Sequence, residues 1–150
     1  MVKADHNSSM VRYIRIYAAC LFIIIGGSIY MLFRSKVLLG FRLMEALRLG
    51  KLVDYLRSGV SNMQPCEFIV YCLPDCLWAI AYILLIDHYF RNESLRKQLI
   101  WASIIPAVGF LSELLQLVGV MPGVFDIFDL LCYAIPYLVY WLCKLLIQNS

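Results

Sequence analysis

The stretch Gly109–Tyr133, GFLSELLQLVGVMPGVFDIFDLLCY, decides how the whole chain is read. Its apolar density is that of a membrane span, yet it carries Glu113, Asp126 and Asp129, with Gln116 among them. A charge near the bilayer centre costs about 2.5–3.5 kcal/mol on insertion scales, so acids within spans usually face a bundle interior or a water-filled cavity. The stretch therefore reads as the end of one span, a turn over Met121-Pro122-Gly123, and the start of another, with the acids turned inward.

Composition agrees. Hydrophobic residues make up 63% of the chain and charged residues 15%, against about 45–50% and 25% in soluble domains. Mean hydropathy is +0.79. The 150 residues hold about four spans of ~20 residues and leave no room for a separate soluble domain. A net charge of +3 is small for a nucleic-acid binder. The basic residues flank apolar runs, where they act as topology signals. The expected partner is the lipid bilayer, and no nucleic acid is expected.

The predicted architecture is an all-α membrane protein: four transmembrane helices, plus a basic amphipathic interfacial helix between the first and second. A polar tail, 1–12, expected to be disordered or interfacial, precedes a single helical membrane domain, 13–150. The first span, 13–33, reads as a retained anchor, because the apolar run is long and no small-x-small site follows it before Arg34. Gly26-Gly27-Ser28 within it permits close helix contact.

Residues 34–62 hold Arg34, Lys36, Arg42, Arg48, Lys51 and Arg57 against Glu45 and Asp54. Apolar residues recur there at roughly helical spacing, which predicts the interfacial helix over 36–57. Headgroup contact and a lid over the polar site are its two readings. Pro74-Asp75 reads as a helix start, since proline fits the first turn and an acid suits the positive end of the helix dipole. The second span is thus expected over 74–90, after a short helix or loop at 65–73. An unbroken span from residue 66, kinked at Pro74, is the alternative. A polar loop at 91–98, a third span at 99–118 and a fourth at 125–147 complete the chain. Pro106 and Pro136 are expected to kink their spans, and Lys144 to snorkel from the last.

The six cysteines form no zinc-type spacing, and no metal centre is predicted. Cys20, Cys132 and Cys143 read as small apolar fillers. A disulfide within Cys66, Cys72 and Cys76 stays open if that end meets an oxidising compartment.

The loop at 91–98 is basic and the turn near Pro122 has no basic residue. The positive-inside rule then places both termini in the cytoplasm, against the basic segment 34–62. This path brings Asp75, Glu113, Gln116, Asp126, Asp129 and Tyr133 to the outer face as one ligand-binding polar cluster. On the third span Glu113 and Gln116 share a face with Gly109, Pro106 and Ala102. On the fourth, Asp126, Asp129, Tyr133, Tyr137 and Tyr140 form a stripe. Asp75 and Asp126 also fit simple helix capping. Glu113 does not, because an acid near a helix carboxyl end opposes the dipole. It needs a partner, a proton or an ion. A divalent cation or a basic side chain (Arg42, Arg48 or Arg57) are candidate compensations.

Glu113-Leu-Leu-Gln116, a turn ending at Gly123, and Phe125-Asp126-Ile-Phe-Asp129 together resemble the signature of VanZ-like membrane proteins, over about residues 66–145. The arginine usual in that family's turn is missing; Met121, Pro122, Gly123 and Val124 stand there. Tyr133 and Pro136 replace the asparagine and glycine often found after the last aspartate. The resemblance implies a multi-pass protein of the bacterial inner (cytoplasmic) membrane, linked to the cell envelope and, in some members, to glycopeptide resistance. It supplies no reaction.

Three functions compete. The first is a non-enzymatic envelope protein whose acidic pocket binds a lipid-linked or cationic ligand. The second is an intramembrane enzyme acting on a lipid or polyprenyl carrier, with Glu113 or Asp129 as base. It lacks a serine–histidine pair, a phosphate-cradling loop and a histidine near the acids. The third is a small proton- or cation-coupled transporter, for which four spans would call for a homodimer.

Overall fold

The computed structural model describes residues 2–36, 39–121 and 124–148. Pro122 and Gly123 of the expected turn lie outside the described residues. Among the described residues there are six helices: α1 Val2–Phe33, α2 Leu39–Ala46, α3 Gly50–Gly59, α4 Glu67–Tyr89, α5 Leu95–Leu117 and α6 Ile127–Gln148. Among the described residues there is no strand. Four segments among the described residues are long and apolar enough to cross a membrane: Tyr13–Phe33, Glu67–Tyr89, Leu95–Leu117 and Ile127–Gln148. Large apolar side chains such as Ile24, Val108 and Leu146 stand exposed around the bundle. They require hydrocarbon, not water, as their solvent. The chain is an all-α multi-pass membrane protein.

Four boundaries differ from the sequence reading. The helix α1 runs back to Val2 through the polar tail, since no proline or glycine interrupts it before Gly26. The second span begins at Glu67 rather than Pro74, so Pro74 lies inside it. The stop is Pro65, one residue before the extended Cys66; proline disfavours helix in the residue before it. Phe68–Leu73 is then free to continue into the span. The third span begins at Leu95 and its polar loop shortens to 91–94. Gln98, inside the helix, donates from Nε2 to the Arg91 and Glu93 carbonyls at 3.3 and 2.8 Å. The fourth begins at Ile127.

The expected interfacial helix over 36–57 is two helices. Arg48 adopts a left-handed φ of 59°. Its N–H donates to Glu45 O at 2.9 Å, and that of Leu49 to Met44 O at 2.8 Å. This is the paired bonding of a Schellman terminus, usually built on glycine. Gly50 then opens α3. The principal partner of α3 is the end of α1. Phe41 stacks on Tyr30 at 6.0 Å. The Arg57 Nη1 donates to the Met31 and Arg34 carbonyls at 2.8 and 2.9 Å.

The helix α4 is the hub, packing against α1, α5 and α6. It runs antiparallel to α1 and parallel to α6, with α5 antiparallel beside both. Two glycines set the closest approaches. A Cβ on Gly26 would meet the Trp78 ring at 2.7 Å and Pro74 O at 3.3 Å, and one on Gly109 would meet the Tyr133 ring at 2.5 Å. A Cβ on Gly27 would meet nothing within 4 Å. The bundle thus has a carboxylate end, at the α5–α6 connection, and a terminal end, where Arg15 and Lys144 lie.

Candidate functional site

The site begins with how α5 stops. Gly119 takes φ +71°, with its N–H on Gln116 O at 3.0 Å and that of Val120 on Leu115 O at 2.9 Å. This second Schellman terminus returns the chain so that Asp126 falls beside the last turn of α5. Glu113 Oε2 accepts from the Asp126 backbone N–H at 3.2 Å. Its Oε1 accepts from Gln116 Nε2 at 3.4 Å. The acid that opposed its helix dipole thus gains two donors, and it is 5% exposed.

Asp126 caps α6. Its Oδ1 accepts from Phe128 N–H at 2.8 Å, the usual task of an N-cap aspartate. One carboxyl oxygen each from Asp126 and Asp129, together with Cys72 Sγ, lie within 4.8 Å of one another. The Asp129 Oδ1 is buried and has no hydrogen-bond partner. Thiol and carboxylate are both ligand types that Zn²⁺ accepts, whereas Mg²⁺ and Ca²⁺ take oxygen ligands.

Asp75 does not cap a helix, because α4 begins eight residues earlier, about 12 Å at 1.5 Å per residue. Its partner is Arg34 at the end of α1, with Nη2 3.7 Å from Oδ2. Arg34 also donates from Nη2 to Tyr71 O at 3.1 Å. Its guanidinium lies 4.9 Å from the Tyr71 ring centroid and 5.7 Å from that of Tyr30. Tyr133 stands over Gly109, one helical turn before Glu113 on α5.

All six sequence-predicted residues therefore come to one end of the bundle. The stripe on α5 is buried at Ala102, Pro106, Gly109 and Glu113. The stripe on α6 faces its neighbours: the Tyr137 hydroxyl donates to Leu99 O at 3.3 Å. The compensating cation is Arg34, whereas Arg42 and Arg48 are exposed and Arg57 binds backbone carbonyls. Cys72 is the other residue that sequence reasoning left out. All six cysteines are free.

A second cluster at the terminal end went unread in the sequence. Asp87, 6% exposed, pairs with Arg15 of α1 at 2.5 Å and with Lys144 of α6. The Tyr140 hydroxyl donates to its Oδ1 at 3.1 Å. Lys144 thus turns inward to a partner. Available signals were an acid inside an apolar run and a lysine one helical turn after a tyrosine. No family model, curated protein or solved structure matches this chain.

Proposed function

We propose that this chain is a VanZ-like protein of the bacterial inner membrane, whose carboxylate end faces outward and binds a cationic or lipid-linked ligand of the envelope. The observation that carries this reading is the charge imbalance. Asp75 pairs with Arg34, whereas Glu113, Asp126 and Asp129 have no ion pair among the described residues, and one oxygen of Asp129 is buried without a donor. An oxygen-rich cluster with surplus negative charge favours an amine or other cation. The neighbouring apolar helix faces would hold the lipid part of such a ligand. Contribution to tolerance of glycopeptide and other envelope antibiotics is the physiological role the resemblance suggests.

The outward orientation follows from the short basic loop at the opposite end. The basic segment after α1 weighs less against it because Arg34 and Arg57 point back at protein groups. The test is a set of neutral isosteres: Asp75→Asn, Glu113→Gln, Asp126→Asn and Asp129→Asn. Each is scored for folding in membranes and for antibiotic tolerance of the host. Asp75→Asn, Glu113→Gln and Asp129→Asn are expected to fold and lose tolerance. Folding with unchanged tolerance in all four would overturn the reading and leave the acids as caps and ties.

A further inference from the structure

We infer that the terminal end of the bundle holds one phospholipid with an anionic headgroup, its phosphate on Arg15 and Lys144 and one acyl chain in the groove between α4 and α6. The groove has a volume of about 420 Å³ and is lined by Cys76, Ile80 and Leu84 of α4 and by Pro136, Val139 and Cys143 of α6. That volume lies in the range of about 300–1,000 Å³ common to ligand sites. Its walls are apolar, and it opens sideways, since Val139 and Cys143 are exposed on the bundle surface. A chain enters such a groove from the bilayer without crossing water.

The groove leads to charge. On α4 the same face continues from Ile83 and Leu84 to Asp87, and on α6 Cys143 is followed by Lys144. From Cys76 to Asp87 is eleven residues, about 16 Å at 1.5 Å per residue. Half of a hydrocarbon core of ~30 Å is nearly the same length. The groove therefore matches one chain of one leaflet.

The headgroup end is cationic. Two cations, Arg15 and Lys144, meet one carboxylate, Asp87, which leaves one positive charge. A guanidinium has five N–H donors and an ammonium three, so donors remain beyond those on Asp87. Arg15 is two residues inside the span starting at Tyr13, and Asp87 and Lys144 are two and four residues from the ends of theirs. At 1.5 Å per residue all lie within about 6 Å of the apolar boundary, from which long basic side chains reach the headgroup layer. Neither this groove nor a second one, of about 210 Å³ between α5 and α6, has a charged residue in its lining. The α4–α6 groove is joined to the ion cluster by Tyr140, which lines it and donates to Asp87.

The test uses the full-length protein in uncharged detergent. Phosphatidylglycerol, phosphatidylcholine of the same chains, and inorganic phosphate are added separately. Lipid retained on the intact protein is read by native mass spectrometry, and stability by thermal melting. The parent should retain phosphatidylglycerol about fivefold over phosphatidylcholine, the ratio that one net basic charge near a headgroup gives. Lys144→Gln should erase that preference. Because Lys144 also ties helices together, Val139→Trp provides the second arm. It leaves the ion cluster intact and fills the groove from an exposed position, so it should fold and lose both lipids. Equal retention of the two lipids by the parent would overturn the headgroup assignment. Parental retention by Val139→Trp would overturn the groove. Stabilisation by inorganic phosphate equal to that by phosphatidylglycerol would show a chain-independent anion site and overturn the lipid.

Discussion

The two ends of the bundle handle buried carboxylates in opposite ways. At the terminal end one aspartate, Asp87, has two cations and a hydroxyl, drawn from α1 and α6. At the carboxylate end Asp75 alone of four acids has a cation, Arg34, among the described residues, Glu113 rests on neutral N–H donors, and the Asp129 Oδ1 is left without a donor. A buried carboxylate surrounded by opposite charge holds helices together, whereas a surplus of carboxylates is a standing demand for something positive. The same residue type is therefore a tie at one face and a candidate binding group at the other. This difference makes measurable predictions.

The largest effect is expected at the tie. Asp87→Ala strands Arg15 and Lys144 against α4 and should lower stability by about 3 kcal/mol, the usual loss when one partner of a buried pair is removed. Unfolding in bicelles monitored by circular dichroism measures it. A loss under ~1 kcal/mol would mean that the cluster is solvated, and the contrast between the ends would dissolve. Next comes Gly109→Ala. The new methyl meets the Tyr133 ring at 2.5 Å, and overpacking of that kind costs about 1–3 kcal/mol. The same unfolding assay should show that loss.

Smaller effects belong to the carboxylate end. Arg34→Gln removes the ion pair to Asp75 and the stacking on Tyr30 and Tyr71, for about 1 kcal/mol. It should also sharpen any cation binding there, by leaving the acids uncompensated. Calorimetric titration with an amine ligand reads both sign and size. The smallest is Glu113→Gln. The amide oxygen still accepts from the Asp126 N–H, so the fold should change by less than ~1 kcal/mol, while ligand-dependent function is lost. A large unfolding penalty in Glu113→Gln would make it a second tie and erase the distinction.

The spans were legible because their apolar runs are long, and the first is recovered as Tyr13–Phe33. The inward stripes on α5 and α6 were legible because recurrence every three or four residues fixes a helix face without knowledge of the partner. Pro74 misled, since a proline suits a first turn as well as a tolerated interior position in a membrane helix, and Pro65 supplied the actual stop. Arg48 hid the break between α2 and α3, because a left-handed conformation at a non-glycine leaves no mark in the sequence. Asp87 was missed for a different reason. Its partners lie 72 and 57 positions away, and such pairings depend on which helices become neighbours, which local spacing does not encode.

One helix, α1, carries the arginine for each end. Arg15 reaches Asp87 and Arg34 reaches Asp75, and their offset of nineteen positions fixes a separation of about 28 Å. Because a helix is stiff along its axis, α1 behaves as a gauge of set length. A slip of one turn, about 5.4 Å, would unseat both arginines together. Whatever displaces Arg34 along that axis at one face of the membrane is therefore felt at Asp87 on the other.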